Sequence, residues 1–137
     1  STPKPSSAAS DVYKRQRLEL GRYVRAEDYL LAQHARDVLR KEVDNALMNS
    51  DALILPTLPI VPPLLGDDSI VIDGVSDSVR ALTLRLTQLF DLTGHPAISI
   101  PCGSIDGIPI GFQLVGHRHA TNDLLALATQ VESMLGT

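Results

Sequence analysis

The stretch Pro96–Gly116, PAISIPCGSIDGIPIGFQLVG, limits what this chain can fold into more than any other. It holds two β-rich runs, Ala97–Pro101 and Ile110–Val115, joined by a loop carrying Asp106-Gly107. Ala97, Ile98 and Ile100 are almost continuously apolar, as are Phe112, Leu114 and Val115, which is the pattern of strands covered on both faces. Asp-Gly reverses a chain readily because glycine accepts positive φ without steric cost. The runs therefore predict an antiparallel hairpin in the middle of a sheet, with Pro96, Pro101 and Pro109 at strand ends, where no ladder donor is lost. Gly111 inside the second run marks a bulge or a close backbone approach.

Around this hairpin the remaining chain reads as helix, strand, loop and helix, followed by one more helix after it. Arg17–Ser50 is helical, with a break near Gly21 and Ala26–Asp28. Its long part carries an apolar stripe of Tyr29, Ala32, Leu39, Val43, Ala46 and Leu47, widened by Leu31, Ala35 and Val38. The other face is polar, with Asp37 and Lys41 in the favourable order four residues apart. Arg36 sits within the stripe, either with its stem laid along apolar surface or paired with a carboxylate. Ala52–Leu55 is a short buried strand, and Thr57–Ser78, rich in proline and glycine, is a long irregular connection of the kind that forms lids or pocket walls. Val79–Leu92 returns to helical spacing with Gly94 as its C-cap. Thr121 caps a final helix that has Asp123 in its first turn and Leu124, Leu125, Ala128, Val131 and Leu135 on one face. The order predicts an α/β layer fold with a mixed β-sheet flanked by helices.

The beginning of the chain stands apart. Ser6–Gln16 reads SSAASDVYKRQ, and DVYKRQ back-translates to GATGTGTATAAGAGACAG, which looks like a transposon adapter from a sequencing library read as coding sequence. Ser1–Gln16 is accordingly taken as a scar rather than native sequence, and Arg17–Thr137 as a truncated C-terminal piece of a longer chain. The full sequence has 12 Lys+Arg against 16 Asp+Glu, a net charge of −4. The scar holds Lys4, Lys14, Arg15 and Asp11, a net of +2, so the rest carries −6. That balance speaks against nucleic acid and anionic membrane as partners, since both call for a basic surface. With 44% hydrophobic residues the chain is globular, and it has no apolar run long enough for a membrane helix. The single cysteine, Cys102, excludes an internal disulfide framework and fits a reducing cytoplasm. It follows an apolar strand and reads as a small buried hydrophobe rather than a catalytic thiol.

Motifs for chemistry are sparse. There is no phosphate loop, no HExxH, no CxxC and no nucleophile elbow. His95, His117 and His119 lie near strand ends, but Arg118 between the last two disfavours a cation site, and all three read as surface-loop histidines. Ser99 and Ser104 lack a nearby base in sequence. Asp91 reads either as a pocket residue or as a helix-end carboxylate bonded to a backbone amide.

A resemblance carries more. Tyr29-x-x-Ala32-x-x-x-Arg36, Asp51…Pro56-Thr57-x-Pro59, the block Leu92–Gly103 (LTGHPAISIPCG), the block Gly107–Gly116 (GIPIGFQLVG) and Asp123-Leu124-Leu125-x-x-Ala128-x-x-x-Glu132 together resemble the C-terminal part of the amidase signature family. The resemblance covers Arg17–Thr137. It implies an incomplete piece of the amidase signature fold from an amide hydrolase with a Ser–cis-Ser–Lys triad. There a lysine is the base, a bridging serine relays the proton and a second serine attacks the carbonyl, with backbone amides as oxyanion hole. The family places that machinery upstream, and Lys41 is the one lysine after the scar, so no residue here matches the triad. The resemblance implies that the piece is inactive alone and supplies sheet core and pocket wall. The substrate-binding candidates are Thr57, Leu84, Thr87 and Asp91, the last standing where the family commonly has Asn.

The implied partner is a small-molecule amide in the full-length protein, with no cofactor and no metal, in the cytoplasm, a homodimer being the possible assembly. Within the family the alternative is the glutamine-hydrolysing subunit of the tRNA-dependent amidotransferase, which releases ammonia from glutamine. That subunit has Pro-Thr-Thr-Pro and an acidic residue on the helix before Gly-x-Pro-Ala, where this chain has Leu58 and Leu84. A buried ammonium without a carboxylate is costly, so Leu84 favours a free-standing amidase acting on neutral or apolar amides. Outside the family, the alternatives are a non-catalytic α/β interaction module and a reading frame that encodes no native protein.

Overall fold

The computed structural model describes residues 12, 14–16 and 18–136. Most of the adapter-like segment, residues 1–11 and 13, lies outside them, as do Arg17 and Thr137. The chain forms two compact units, Ser1–Arg36 and Asp37–Thr137. In the first, residues 14–16 and 18–20 are helical and Gly21–Tyr23 form a single 3-10 turn. The expected break at Gly21 is thus present. Helix α1 (Ala26–Leu47) follows, its residues up to Arg36 in the first unit and from Asp37 on in the second.

The second unit continues with β1 (Leu53–Pro56), β2 (Ser69–Ile72), β3 (Val75–Ser78), α2 (Val79–Leu84), α3 (Gln88–Thr93), β4 (Ala97–Ile105), β5 (Ile108–Val115) and α4 (Thr121–Leu135). Strands β1, β5 and β4 form a sheet with β5 central and both pairings antiparallel. The α/β class is the one expected. The hairpin is longer than its apolar runs, because Asp106 (φ 52°) and Gly107 (φ 77°) alone make the turn and the ladder runs right up to it. Two successive positive φ values are those of a type I′ turn, whose twist matches that of the strands. Accommodating Pro101 within β4 takes a shift of register between Pro101 and Gly103, leaving Cys102 as the extra residue. The bulge therefore lies opposite Gly111 rather than on it, and Cys102 is half-buried there, Sγ 3.7 Å from the Ile110 carbonyl oxygen.

Core packing follows the pleat. Ile98 and Ile100 of β4 lie with Phe112 and Leu114 of β5 against Leu124, Ala128, Leu127 and Val131 of α4. Leu53, Leu55 and Val115 point to the other face and meet Val43 and Leu47 of α1 and Leu89 and Phe90 of α3. Burying side chains such as Leu47 and Val115, both fully buried, contributes about 1.5–3 kcal/mol each. Among the described strands only β5 is covered on both faces, over its second half. β4 alternates, and Ile54 of β1 is 69% exposed, so the two-faced burial expected for these outer strands is corrected.

Other expectations change as well. Thr57–Ser78 is not wholly irregular, because β2 and β3 pair as a second hairpin about Asp73 (φ 50°) and Gly74 (φ 81°), the same turn as at Asp106-Gly107. Val79–Leu92 is two helices, not one. Phe90 N–H bonds to Thr87 O instead of Leu86 O, and Leu86 O is taken by the side chain of Gln113. The cap of α4 is Ala120 with no side-chain bond, and Thr121 is the first helical residue. On α1 the apolar stripe is buried only at Val43 and Leu47, while Tyr29, Leu31, Val38 and Leu39 are exposed. Asp37 bonds to Arg40 at 2.9 Å, and Arg36 Nε is buried with no hydrogen-bond partner among the described residues. Gly94 does cap α3, with φ 77° and its N–H on Phe90 O at 2.8 Å. No helix among the described residues is long and apolar enough to cross a membrane.

Candidate functional site

The α3 face of the sheet holds polar groups that an apolar strand would not be expected to carry. Gln113 lies between Phe112 and Leu114, so the pleat turns it away from α4, and it is 2% exposed. Its Nε2 donates to Leu86 O at 2.9 Å and to Pro56 O at 3.2 Å, tying the end of β1 and the α2–α3 link to the central strand. Both partners are carbonyl oxygens, which fixes the orientation of the amide. Thr57 follows Pro56 and donates its backbone N–H to Gly111 O at 3.3 Å. Its hydroxyl meets that of Ser99 at 2.7 Å. Ser99 stands opposite Gln113 across the β4–β5 ladder, as Leu55 does across β1–β5.

Thr87, at the N-cap position of α3, and Asp91, one turn on, close a recess of about 210 Å³ together with Thr57, Ser99, Gln113 and His95. Three of the four expected binding residues, Thr57, Thr87 and Asp91, are brought together there. Leu84, the last residue of α2, is half-buried and does not line it. Asp91 is exposed, and among the described residues its carboxylate accepts no hydrogen bond from a backbone amide. Ser99 and Gln113 line the recess too, although neither is among the binding residues expected from the sequence. Gln113 had a signal, an amide inside an apolar run. Ser99 had only its parity with Gln113 on the pleat.

A second recess, of about 460 Å³, shares Thr57 and Ser99 with the first. It runs along Pro56–Pro62 and is walled by Leu58, Ile60, Val61 and Ile110, with no charged side chain in its lining. The hydroxyl pair thus stands between an apolar pocket and a polar one. Neither hydroxyl is bonded to a histidine, lysine or carboxylate among the described residues, so the pair is equipped to bind and orient a polar group rather than to attack.

Beside the recess lies a charged cluster. His95 is buried, not a surface-loop residue as expected, because left-handed Gly94 turns the chain inward and α1 supplies a partner. His95 Nε2 is 3.1 Å from Asp44 Oδ1 and Nδ1 is 2.9 Å from Thr93 Oγ1. Arg118 grips both oxygens of Asp44, Nε at 3.1 Å and Nη2 at 2.9 Å. The Arg118 hydrogen bonds, with that of His95 second to them, hold the Asp44 carboxyl below the ordinary carboxylate range against the opposing effect of burial. His117 remains near the surface, Nε2 donating to Ser50 O at 3.0 Å. Among the described residues no three His, Cys, Asp or Glu side chains are placed to hold a metal ion.

Fold and recess together define an α/β sheet protein with a small-molecule-sized cleft on one sheet face. The family model described as Amidase matches residues 3–125. The chain belongs to the amidase family. It is 31% identical over 127 residues to the A-subunit of glutamyl-tRNA(Gln) amidotransferase from Sulfurisphaera tokodaii, covering 88% of this chain and 26% of that protein. Its structure resembles a crystal structure of an amidase with a TM-score of 0.79 at 33% identity, over 90% of this chain and 29% of that one. It also resembles the glutamyl-tRNA(Gln) amidotransferase A-subunit of Thermotoga maritima, with a TM-score of 0.59 at 26% identity, over 94% and 30%. The chain thus spans about a quarter of the length of the curated relatives it matches.

Proposed function

We propose that this chain forms one wall of the substrate recess of an amide hydrolase, together with the sheet core beneath it. The protein that carries it would convert a neutral or apolar carboxylic amide to the acid plus ammonia or amine, in the cytoplasm. The observation that carries this reading is the apolar recess lined by Leu58, Ile60, Val61 and Ile110, which opens directly onto the Thr57–Ser99 hydroxyl pair. Methylene or aryl groups gain by leaving water in such a recess, while the amide finds donors and acceptors at its edge. In the Ser–cis-Ser–Lys mechanism that the family implies, base and nucleophile come from outside this chain, and this wall binds and orients. In this reading Lys41, exposed on α1, takes no part, and the chain by itself is inactive.

A second reading is the glutamine-hydrolysing component of a tRNA-dependent amidotransferase. It is favoured by the similarity to such proteins and by Asp91, a carboxylate on the polar recess able to meet the ammonium of glutamine. Comparing kcat/KM for benzamide and glutamine in the protein containing this chain separates the two. The free-standing amidase prefers benzamide, and Asp91→Asn leaves that preference intact. Preferred turnover of glutamine, lost in Asp91→Asn, would overturn the first reading in favour of the second.

A further inference from the structure

We propose that Gln113 is a positioning residue whose single side-chain amide sets the separation of Thr57 and Thr87 across the recess. Only the consequence for turnover rests on the proposed function; the geometry stands without it. A buried glutamine in an apolar strand is costly unless its polar hydrogens are used, and here Nε2 serves two carbonyls. Those carbonyls belong to Pro56 and Leu86, and each immediately precedes a recess residue. Because a peptide unit is planar from one Cα to the next, holding a carbonyl oxygen orients the following N–H and Cα as well. Gln113 therefore holds the 56–57 and 86–87 peptide planes by one edge. The other edge of each is held by its own N–H, Thr57 to Gly111 O and Thr87 to Leu84 O, both at 3.3 Å. The two threonines come from segments far apart in sequence and are not hydrogen-bonded to each other, so the shared amide is their link. Methionine in the same place would fill the volume and preserve burial but leave both planes free to tilt.

Amide hydrogen exchange followed by NMR on the intact protein tests this without relying on activity. In the unsubstituted protein the Gln113 side-chain N–H₂ protons are expected to be resolved and protected, and fast-exchanging ones would overturn the proposal even if no variant folds. In Gln113→Met the Thr57 and Thr87 N–H protons should exchange about tenfold faster, together, while those of Leu114 and Val115 stay unchanged. Unchanged rates at both threonines, acceleration at only one, or equal acceleration throughout the sheet would overturn it, the last by making Gln113 a core residue and nothing more. As a second readout, KM for benzamide should rise about tenfold in Gln113→Met with kcat changed less than about threefold. A protein that hydrolyses no amide would sink the proposed function and leave the exchange result to decide this one.

Discussion

Gly111 keeps the Thr57–Ser99 pair in place by lacking a side chain. A Cβ there would lie 3.0 Å from Ile100 O and 3.1 Å from Ser99 Oγ, and the first of these is strand backbone that cannot swing aside. The cost of a side chain at this position is steric. Gly111→Ala should therefore lower stability by about 1–3 kcal/mol, read as a lower denaturant midpoint at unchanged slope. An unchanged midpoint would contradict the close approach. At this scale the sequence was partly legible. Gly111 in a β run pointed to a bulge or a close approach, and the second is what it makes; Thr57, Thr87 and Asp91, which the family resemblance implied as binding residues, line one recess. Ser99 escaped because its partner lies 42 residues away, a separation to which no local spacing rule applies. Leu84 came from the same resemblance, but it is the last residue of α2 and does not line the recess.

Among elements, the two Asp-Gly turns show what pattern reading can and cannot supply. At Asp106-Gly107 the flanking runs are apolar and the hairpin was evident. At Asp73-Gly74 the same dipeptide lies between strands that are mostly exposed, and the proline-rich surroundings hid it. The split between α2 and α3 was illegible because its cause, the Gln113 bond to Leu86 O, spans 27 residues. The Asp44–His95–Arg118 cluster likewise joins α1, the α3–β4 turn and the loop after β5, and it makes a pH-dependent contribution. The Asp44 carboxyl is held below its ordinary value, mainly by Arg118, so the folded state favours the ionised form. That stabilisation is present above the unfolded pKa of about 3.9 and is lost as pH falls further, through the lower folded value. Asp44→Asn should lower stability at neutral pH and flatten the loss that sets in as pH falls below about 4, measured as thermal midpoint against pH. A variant curve parallel to that of the unsubstituted protein would show that the cluster carries no such linkage.

At the scale of the whole molecule, the α/β class and the family were legible, because ordered blocks from Tyr29 to Glu132 outweigh any single motif. The layout of the two recesses was not. It depends on which residues the pleat places on the α3 face and on where β1 ends, both settled by the register of β1 on β5. The central claim is that this face receives the amide, with Thr57 and Ser99 at the junction of a polar and an apolar pocket. Chemical-shift mapping by NMR, with benzamide titrated into the protein, tests it most directly. The account requires saturable shifts at Thr57, Ser99, Thr87 and Gln113, continuing along Leu58–Val61. Saturable shifts confined to the separate cavity bounded by Asp51, His117 and Asp123, or no saturable shifts on the α3 face, would contradict it.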